Sequence, residues 1–279
     1  MTLHLRRWPR PGPNAFGPSA AAGPRLVLLH GFTQNVDCWG PFADVLALRF
    51  PVDAVDAPGH GSSDPIHDRA GLDLAVNLID EAAVADPTGR ASPPVVVGYS
   101  MGGRMALQLA LSHQAALAGL VLIGATPGIE NDRERERRRQ ADHDLAERIR
   151  REPLPDFLDR WLANPLFAGL TPEAAARSAR LRNRPEGLAA SLECCGTGTQ
   201  RPLWDRLGEL ALPVLLITGR DDHTFTALAK RMTAEMTAAD VSTIAIAGTH
   251  AVHLEQPSAS AAAVARWLES WSSNPIEPE

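Results

Sequence analysis

A chain of 279 residues, 44% hydrophobic and 22% charged, is long enough to bury a large core, and its net charge of −6 offers no basic field to draw nucleic acid or an anionic membrane. No apolar run approaches the roughly 18 residues of a membrane span, and the opening MTLHLRRWPRPGPN lacks the h-region of a signal peptide. The expectation is a cytoplasmic protein of one domain with an insertion, with no membrane or nucleic-acid partner. Its oligomeric state is not encoded in any legible pattern. Cys38, Cys194 and Cys195 form neither an even disulfide framework nor a metal-ligand spacing, so they read as reduced structural thiols.

In chain order, a short strand at Leu3 to Arg7 precedes a Pro-, Gly- and Ala-rich stretch, residues 9 to 24, that reads as a surface loop or arm. Leu26 to Leu29 is a continuous apolar run of strand length that ends in His30, Gly31, Phe32 and Thr33. Pro51 to Asp56 alternates like a strand and breaks into the loop APGHGSSD, which carries His60. Leu72 to Val84 has a helical apolar pattern that Pro87 and Gly89 stop. Then Val95 to Val97, a β-branched run, gives way across one serine to a helical pattern through Met101, Met105, Leu107, Leu109 and Leu111.

The junction reads GYSMG. A serine with glycine two residues away on either side, at a strand-to-helix turn, is a nucleophile elbow: Gly98 and Gly102 leave room for a tight turn that lifts the Ser100 hydroxyl clear of the sheet. An oxyanion hole for such a serine uses the N–H of the following residue and one from an earlier strand-end loop, which points to Met101 and Phe32. His30 precedes the serine and reads as a buried histidine bracing that loop.

Leu120 to Ile123 supplies the next strand, and from about Thr126 to Arg201 no strand pattern appears. Proline-punctuated helices fill that region: one through DRERERRRQ, one around Asp156 to Leu162, one beginning at Thr171 with Pro172 at its first position, and one after Gly187. Strands resume at Val214 to Thr218 and Val241 to Ile246, and an amphipathic helix covers Ala261 to Trp271. The expected fold is α/β, of α/β-hydrolase type: a mostly parallel central sheet flanked by helices, with residues 1–125 and 202–279 as core and 126–201 as an inserted helical cap. Catalytic groups belong at the carboxyl ends of parallel strands. Asp221 and Asp222 follow one late strand and His250 follows the other, giving the order Ser, Asp, His. Asp222, three residues past Gly219, has more room than Asp221 to turn back over the sheet edge. Asp222 would then hold the imidazole tautomer and His250 take the Ser100 proton.

With the elbow extended to GYSMGGR, the chain resembles the 2-succinyl-6-hydroxy-2,4-cyclohexadiene-1-carboxylate synthase family. The likeness runs through HGF, DAPGHGSS, PGIENDRERERRRQ, WLANPLF, LRNRPEGLAASL and THAVHLEQP. It implies a lyase of menaquinone biosynthesis that removes pyruvate from a succinyl-bearing enolpyruvyl cyclohexene carboxylate, with no metal and no cofactor. It also implies the triad Ser100, Asp222 and His250 and substrate contacts from Tyr99, Arg138, Trp161, Phe167 and Arg182. Thr249 where glycine is usual, Leu162 where some members have tyrosine, and a longer amino-terminal arm depart from the pattern.

The residues also speak for an anionic substrate directly. On a helix Arg138 shares a face with Leu145 and Ile149, and Arg182 follows Ala175 and Ala179 at helical spacing, so both arginines are expected inward, where they suit a small-molecule polycarboxylate. Arg182 at a helix C-terminus and simple packing by Trp161 and Phe167 are the alternatives. A serine hydrolase of esters, lactones or carbon–carbon bonds would use the same triad with Ser100 as nucleophile.

Overall fold

The computed structural model describes residues 1–9, 23–67, 71–85 and 92–273. The expected arm at 9 to 24 and the stop at Pro87 and Gly89 lie largely outside them. Strands β1 (Leu5–Arg7), β2 (Leu26–Leu29), β3 (Val52–Val55), β4 (Val95–Tyr99), β5 (Gly119–Ile123), β6 (Val214–Gly219) and β7 (Val241–Ile246) form one sheet in the order β1-β3-β2-β4-β5-β6-β7. Only β1 is antiparallel to its neighbour, β3.

Because side chains alternate across a strand, the continuous apolar runs feed both faces of the sheet. Val27, Leu29, Val96, Leu120, Leu122, Val214 and Leu216 pack on one face with helices α2 (Gly71–Ile79) and α3 (Met101–His113), through residues such as Val76, Met105 and Leu109. Leu26, Leu28, Val95, Val97, Val121, Ile123, Leu215 and Ile217 face the other way, toward Phe42 and Leu46 of α1 (Gly40–Ala47). Each such aliphatic side chain contributes about 1.5–3 kcal/mol by leaving water. The sheet is therefore the rigid platform from which the strand-end loops project.

Between β5 and β6 the described chain is helical: α4 (Asp132–Arg151), α5 (Leu154–Leu162), α6 (Arg177–Arg180) and α7 (Pro185–Cys195). Asn131 starts α4, its side chain accepting from the Arg133 and Glu134 N–H groups at 3.1 and 3.0 Å, which satisfies two orphan donors of the first turn. Ala146, Ile149, Leu154, Phe157, Leu158, Leu188 and Leu192 give this insertion a small core of its own. Proline at the first position of α7 needs no N–H partner there. After β6 come α8 (His223–Glu235), then, beyond β7, α9 (Val252–Glu255) and α10 (Pro257–Ser273), whose Val264 and Leu268 cover the same sheet face as α1.

The helix expected from Thr171 does not form there. Residues 172–176 are turns, Ala176 is left-handed at φ +49°, and the helix begins only at Arg177. The Ala175 carbonyl is taken by the Arg180 Nε–H at 2.7 Å, a side-chain bond that competes with helix continuation. This break resets which residues of the segment point inward.

Candidate active site

Ser100 stands between β4 and α3 at φ 50° and ψ −107°, a conformation costly for a residue with a side chain. The surrounding glycines explain how the turn closes. A Cβ on Gly98 would come within 2.5 Å of the Gly102 carbonyl oxygen, and one on Gly102 within 2.0 Å of the Leu29 carbonyl oxygen. The elbow is thus wedged against β2, with no room for a larger residue.

Asp222 follows β6 and caps α8, its Oδ1 accepting from the Phe225 N–H at 3.1 Å. Its other oxygen, Oδ2, lies 2.8 Å from His250 Nδ1, and His250 Nε2 lies 3.1 Å from Ser100 Oγ. A carboxylate only accepts, so Nδ1 carries the proton and Nε2 presents its lone pair to the Ser100 hydroxyl. Phe225 packs on the imidazole at 4.3 Å between ring centroids, which fixes its plane. Asp221 is exposed and its N–H donates to the Gly248 carbonyl, so the structure brings together Asp222 and not Asp221.

Ser100, His250, Phe32 and Met101 open into a cavity of about 460 Å³, of the size that takes a small ligand. Arg138, Trp161 and Phe167 line it from the insertion. Arg138 Nε donates to the buried Asp142 at 2.7 Å, and its side chain remains 47% exposed. Trp161 packs edge-on against Phe32 at 5.2 Å and lies 5.8 Å from Phe167, so these aromatics both pack and line the wall. The Trp161 Nε1–H is buried without an acceptor among the described residues.

Two expected contacts are not at the wall. Tyr99 is buried beneath it, 5.4 Å from the His250 ring and 4.1 Å from the His253 ring, and burial raises its phenol above the ordinary range. As the last residue of β4 it points into the layer under the loop that carries His250, where it supports that imidazole from behind. Arg182 is 58% exposed and pairs with Asp37. The left-handed break at Ala176 is the reason: the spacing from Ala175 no longer holds, and Arg180, 1% exposed, is the arginine that turns inward.

Arg104 was not legible as a site residue. It lines the cavity from α3, buried, with Nη1 donating to Gln200 Oε1 at 3.0 Å and Nη2 to the Cys195 carbonyl at 2.8 Å. Burial lowers its guanidinium to about 10, still charged at neutral pH. Its signal was the final letter of GYSMGGR, one helical turn past the serine. His30 is enclosed as expected: Nε2 accepts from the Ala57 N–H at 3.0 Å, and burial lowers the imidazole to about 4. Thr249, the residue before His250, donates its N–H to Glu255 at 2.8 Å, and its hydroxyl lies 3.2 Å from the Leu166 carbonyl on the insertion.

Residues 26–264 match the model of the alpha/beta hydrolase family. A Salmonella schwarzengrund protein named 2-succinyl-6-hydroxy-2,4-cyclohexadiene-1-carboxylate synthase is 34% identical over 260 residues, 92% of this chain and 95% of that one. The chain belongs to the 2-succinyl-6-hydroxy-2,4-cyclohexadiene-1-carboxylate synthase family. Among solved structures, MenH from S. aureus superposes with a TM-score of 0.84 at 26% identity, covering 96% of this chain and 99% of that one. An enol-lactonase from Burkholderia xenovorans, at 19% identity and a TM-score of 0.74 over 96% of both chains, shares the fold. A synthase of this family built on the α/β-hydrolase fold thus carries a hydrolase-like constellation beneath an arginine-bearing wall. Among the described residues no helix is long and apolar enough to cross a membrane.

Proposed function

We propose that this member of the synthase family eliminates pyruvate from 2-succinyl-5-enolpyruvyl-6-hydroxy-3-cyclohexene-1-carboxylate to give 2-succinyl-6-hydroxy-2,4-cyclohexadiene-1-carboxylate. The observation that carries the reading is a complete Ser100–His250–Asp222 relay opening onto a cavity whose wall holds two arginines, Arg104 and Arg138. The substrate carries carboxylates on its ring, succinyl and enolpyruvyl groups. Guanidinium groups meet such groups through charge-assisted bonds.

The chemistry follows from substrate and product. The ring double bond at carbon 3 becomes a 2,4-diene, so the proton lost is the one on carbon 2, beside the succinyl ketone, and the group lost is the enolpyruvyl oxygen on carbon 5. Ser100 Oγ takes the carbon-2 proton while its own proton passes to His250 Nε2, and Asp222 stabilises the imidazolium. Electrons from the broken C–H bond pass first to the ketone oxygen. The N–H groups of Phe32 and Met101 hold that developing enolate. Its collapse shifts the double bond and expels pyruvate enolate, whose methylene takes the proton that the imidazolium gives up. Ser100 stays a base throughout, and no acyl-enzyme forms.

Residues 126–201 act in this reading as a cap that supplies Arg138, Trp161 and Phe167 and keeps water from the enolate. The hydrolase reading keeps the same triad with Ser100 as nucleophile. Rapid mixing with the enolpyruvyl substrate, followed by intact-mass analysis, separates the two: the lyase shows no adduct on Ser100 and no burst of pyruvate. A covalent intermediate that forms and decays at the turnover rate would establish the hydrolase.

A further inference from the structure

Thr33 has φ +67° and is fully buried. It is the third residue of a turn closed by the Gln34 N–H on the Gly31 carbonyl at 3.1 Å, a position where a positive φ ordinarily calls for glycine or asparagine. The strain matters because of what the turn holds. The peptide whose carbonyl Gln34 fixes is the Gly31–Phe32 peptide, and its N–H is the oxyanion donor of the proposed reaction. The same carbonyl also accepts from His30 Nδ1 at 2.9 Å, so if Thr33 relaxed to a negative φ the turn would open on the Gln34 side and the Phe32 N–H would shift from its place while the peptide stayed tethered at His30.

The groups that hold Thr33 come from across the cap boundary. Asn183 Nδ2 donates to the Thr33 carbonyl at 2.7 Å and to the Arg180 carbonyl at 3.0 Å, while Asn183 Oδ1 accepts from the Gly61 N–H at 2.6 Å. Arg180 donates through Nη1 to the Thr33 hydroxyl. Asn35 Nδ2 returns a bond to the Ala179 carbonyl at 2.7 Å. Both Asn183 and Arg180 are buried, so these bonds form where no water competes. Close by, Gly187 of α7 meets Gly59 backbone to backbone, since a Cβ on either would lie 2.2 Å from the other's carbonyl oxygen. The cap is therefore riveted to the core along this edge.

We propose that Asn183 is a positioning residue which, with Arg180, clamps Thr33 in its left-handed conformation and so sets the Phe32 N–H of the oxyanion hole. The role rests on the reading of Phe32 as an oxyanion donor and not on the identity of the substrate. A serine-reactive alkyl phosphonofluoridate tests it independently of the lyase reaction. Ser100 Oγ forms a bond to phosphorus, the P–F bond breaks, fluoride leaves, the serine proton passes to His250, and the phosphoryl oxygen occupies the hole.

The second-order labelling rate, read by intact mass on protein whose near-ultraviolet circular dichroism matches wild type, is the measurement. Asn183→Ala should label about 10-fold more slowly, and with the enolpyruvyl substrate should lower kcat while KM stays within about 3-fold. Thr33→Val keeps the branched side chain but loses the hydroxyl and should also slow labelling. Thr33→Gly adopts a positive φ without strain, so it should label within about 3-fold of wild type and reduce the cost of Asn183→Ala to less than about 3-fold in the double variant. Wild-type labelling by Asn183→Ala, or an undiminished cost in the glycine background, would overturn the proposal. If Asn183→Ala fails to fold, the two Thr33 variants decide: a slow valine and a near-normal glycine support the clamp, and equal rates overturn it.

Discussion

Arg138→Ala removes the insertion's arginine at the cavity wall, and its effect should depend on the charge of the substrate. In the free protein the Arg138 guanidinium already bonds Asp142 through Nε at 2.7 Å, which leaves its Nη groups for a ligand, and the side chain is 47% exposed. A hydrogen bond to a charged group contributes about 1.5–3 kcal/mol, and the partial exposure places Arg138 at the lower end, about 10-fold in kcat/KM. The loss of its partner also leaves the buried Asp142 with the Gly198 N–H at 3.2 Å, so some destabilisation accompanies the change. The assay is kcat/KM for Arg138→Ala on the enolpyruvyl polycarboxylate and on a small neutral ester, with Arg182→Ala as the comparison. The ester rate should hold within about 3-fold, and Arg182→Ala, whose side chain faces outward against Asp37, should hold within about 3-fold on both substrates. Equal losses of Arg138→Ala on both substrates would mean that it supports structure alone. An Arg182→Ala loss as large as that of Arg138→Ala would refute the placement of these two side chains.

Arg104→Met should cost more, about 100-fold on the polycarboxylate, because the buried guanidinium is desolvated before substrate arrives; its melting temperature should fall as Gln200 and the Cys195 carbonyl lose their donor. Ser100→Ala and His250→Ala should each reduce pyruvate release by about 10³-fold or more without unfolding the protein, and Asp222→Asn should be far more damaging than Asp221→Asn. Acid should destabilise the fold through its buried histidines. Burial holds His30 at about 4 and His60 at about 3, and lowers His253 as well, so the unfolded chain takes up protons below about pH 6.5 that the native protein refuses. Each contributes a slope of up to about 1.4 kcal/mol per pH unit, with stability complete above about pH 6.5 and lost as pH falls toward 4 for His30 and toward 3 for His60; denaturant titrations of wild type and His253→Phe should show a shallower slope for the variant, and equal slopes would contradict the assignment.

The sheet and the convergence of Ser100, Asp222 and His250 were legible because their signals are local. Val95 to Val97 read as a short buried strand, Gly98 and Gly102 announced the tight turn, and the two late strands delivered Asp222 and His250 at their ends. The insertion between β5 and β6 was legible as helical, but its side-chain directions were not. Spacing from Ala175 assumes an unbroken helix, and nothing in TPEAAARSAR signals that Ala176 turns left-handed while Arg180 captures the Ala175 carbonyl. Tyr99 adjoins the nucleophile in sequence, yet alternation along β4 sends it beneath the site. Arg104 lay one turn beyond the elbow on a helix read as core, and its polar partners, Gln200 and Cys195, are distant in sequence. Long-range partners of this kind become visible only once the chain is folded.

The most direct test of the account is to supply purified protein with 2-succinyl-5-enolpyruvyl-6-hydroxy-3-cyclohexene-1-carboxylate and follow pyruvate and the ring product together. Pyruvate and 2-succinyl-6-hydroxy-2,4-cyclohexadiene-1-carboxylate should appear in equal amounts, at a rate that Ser100→Ala abolishes. Release of pyruvate at the uncatalysed rate, with neutral esters turned over efficiently by the same preparation, would contradict the lyase reading.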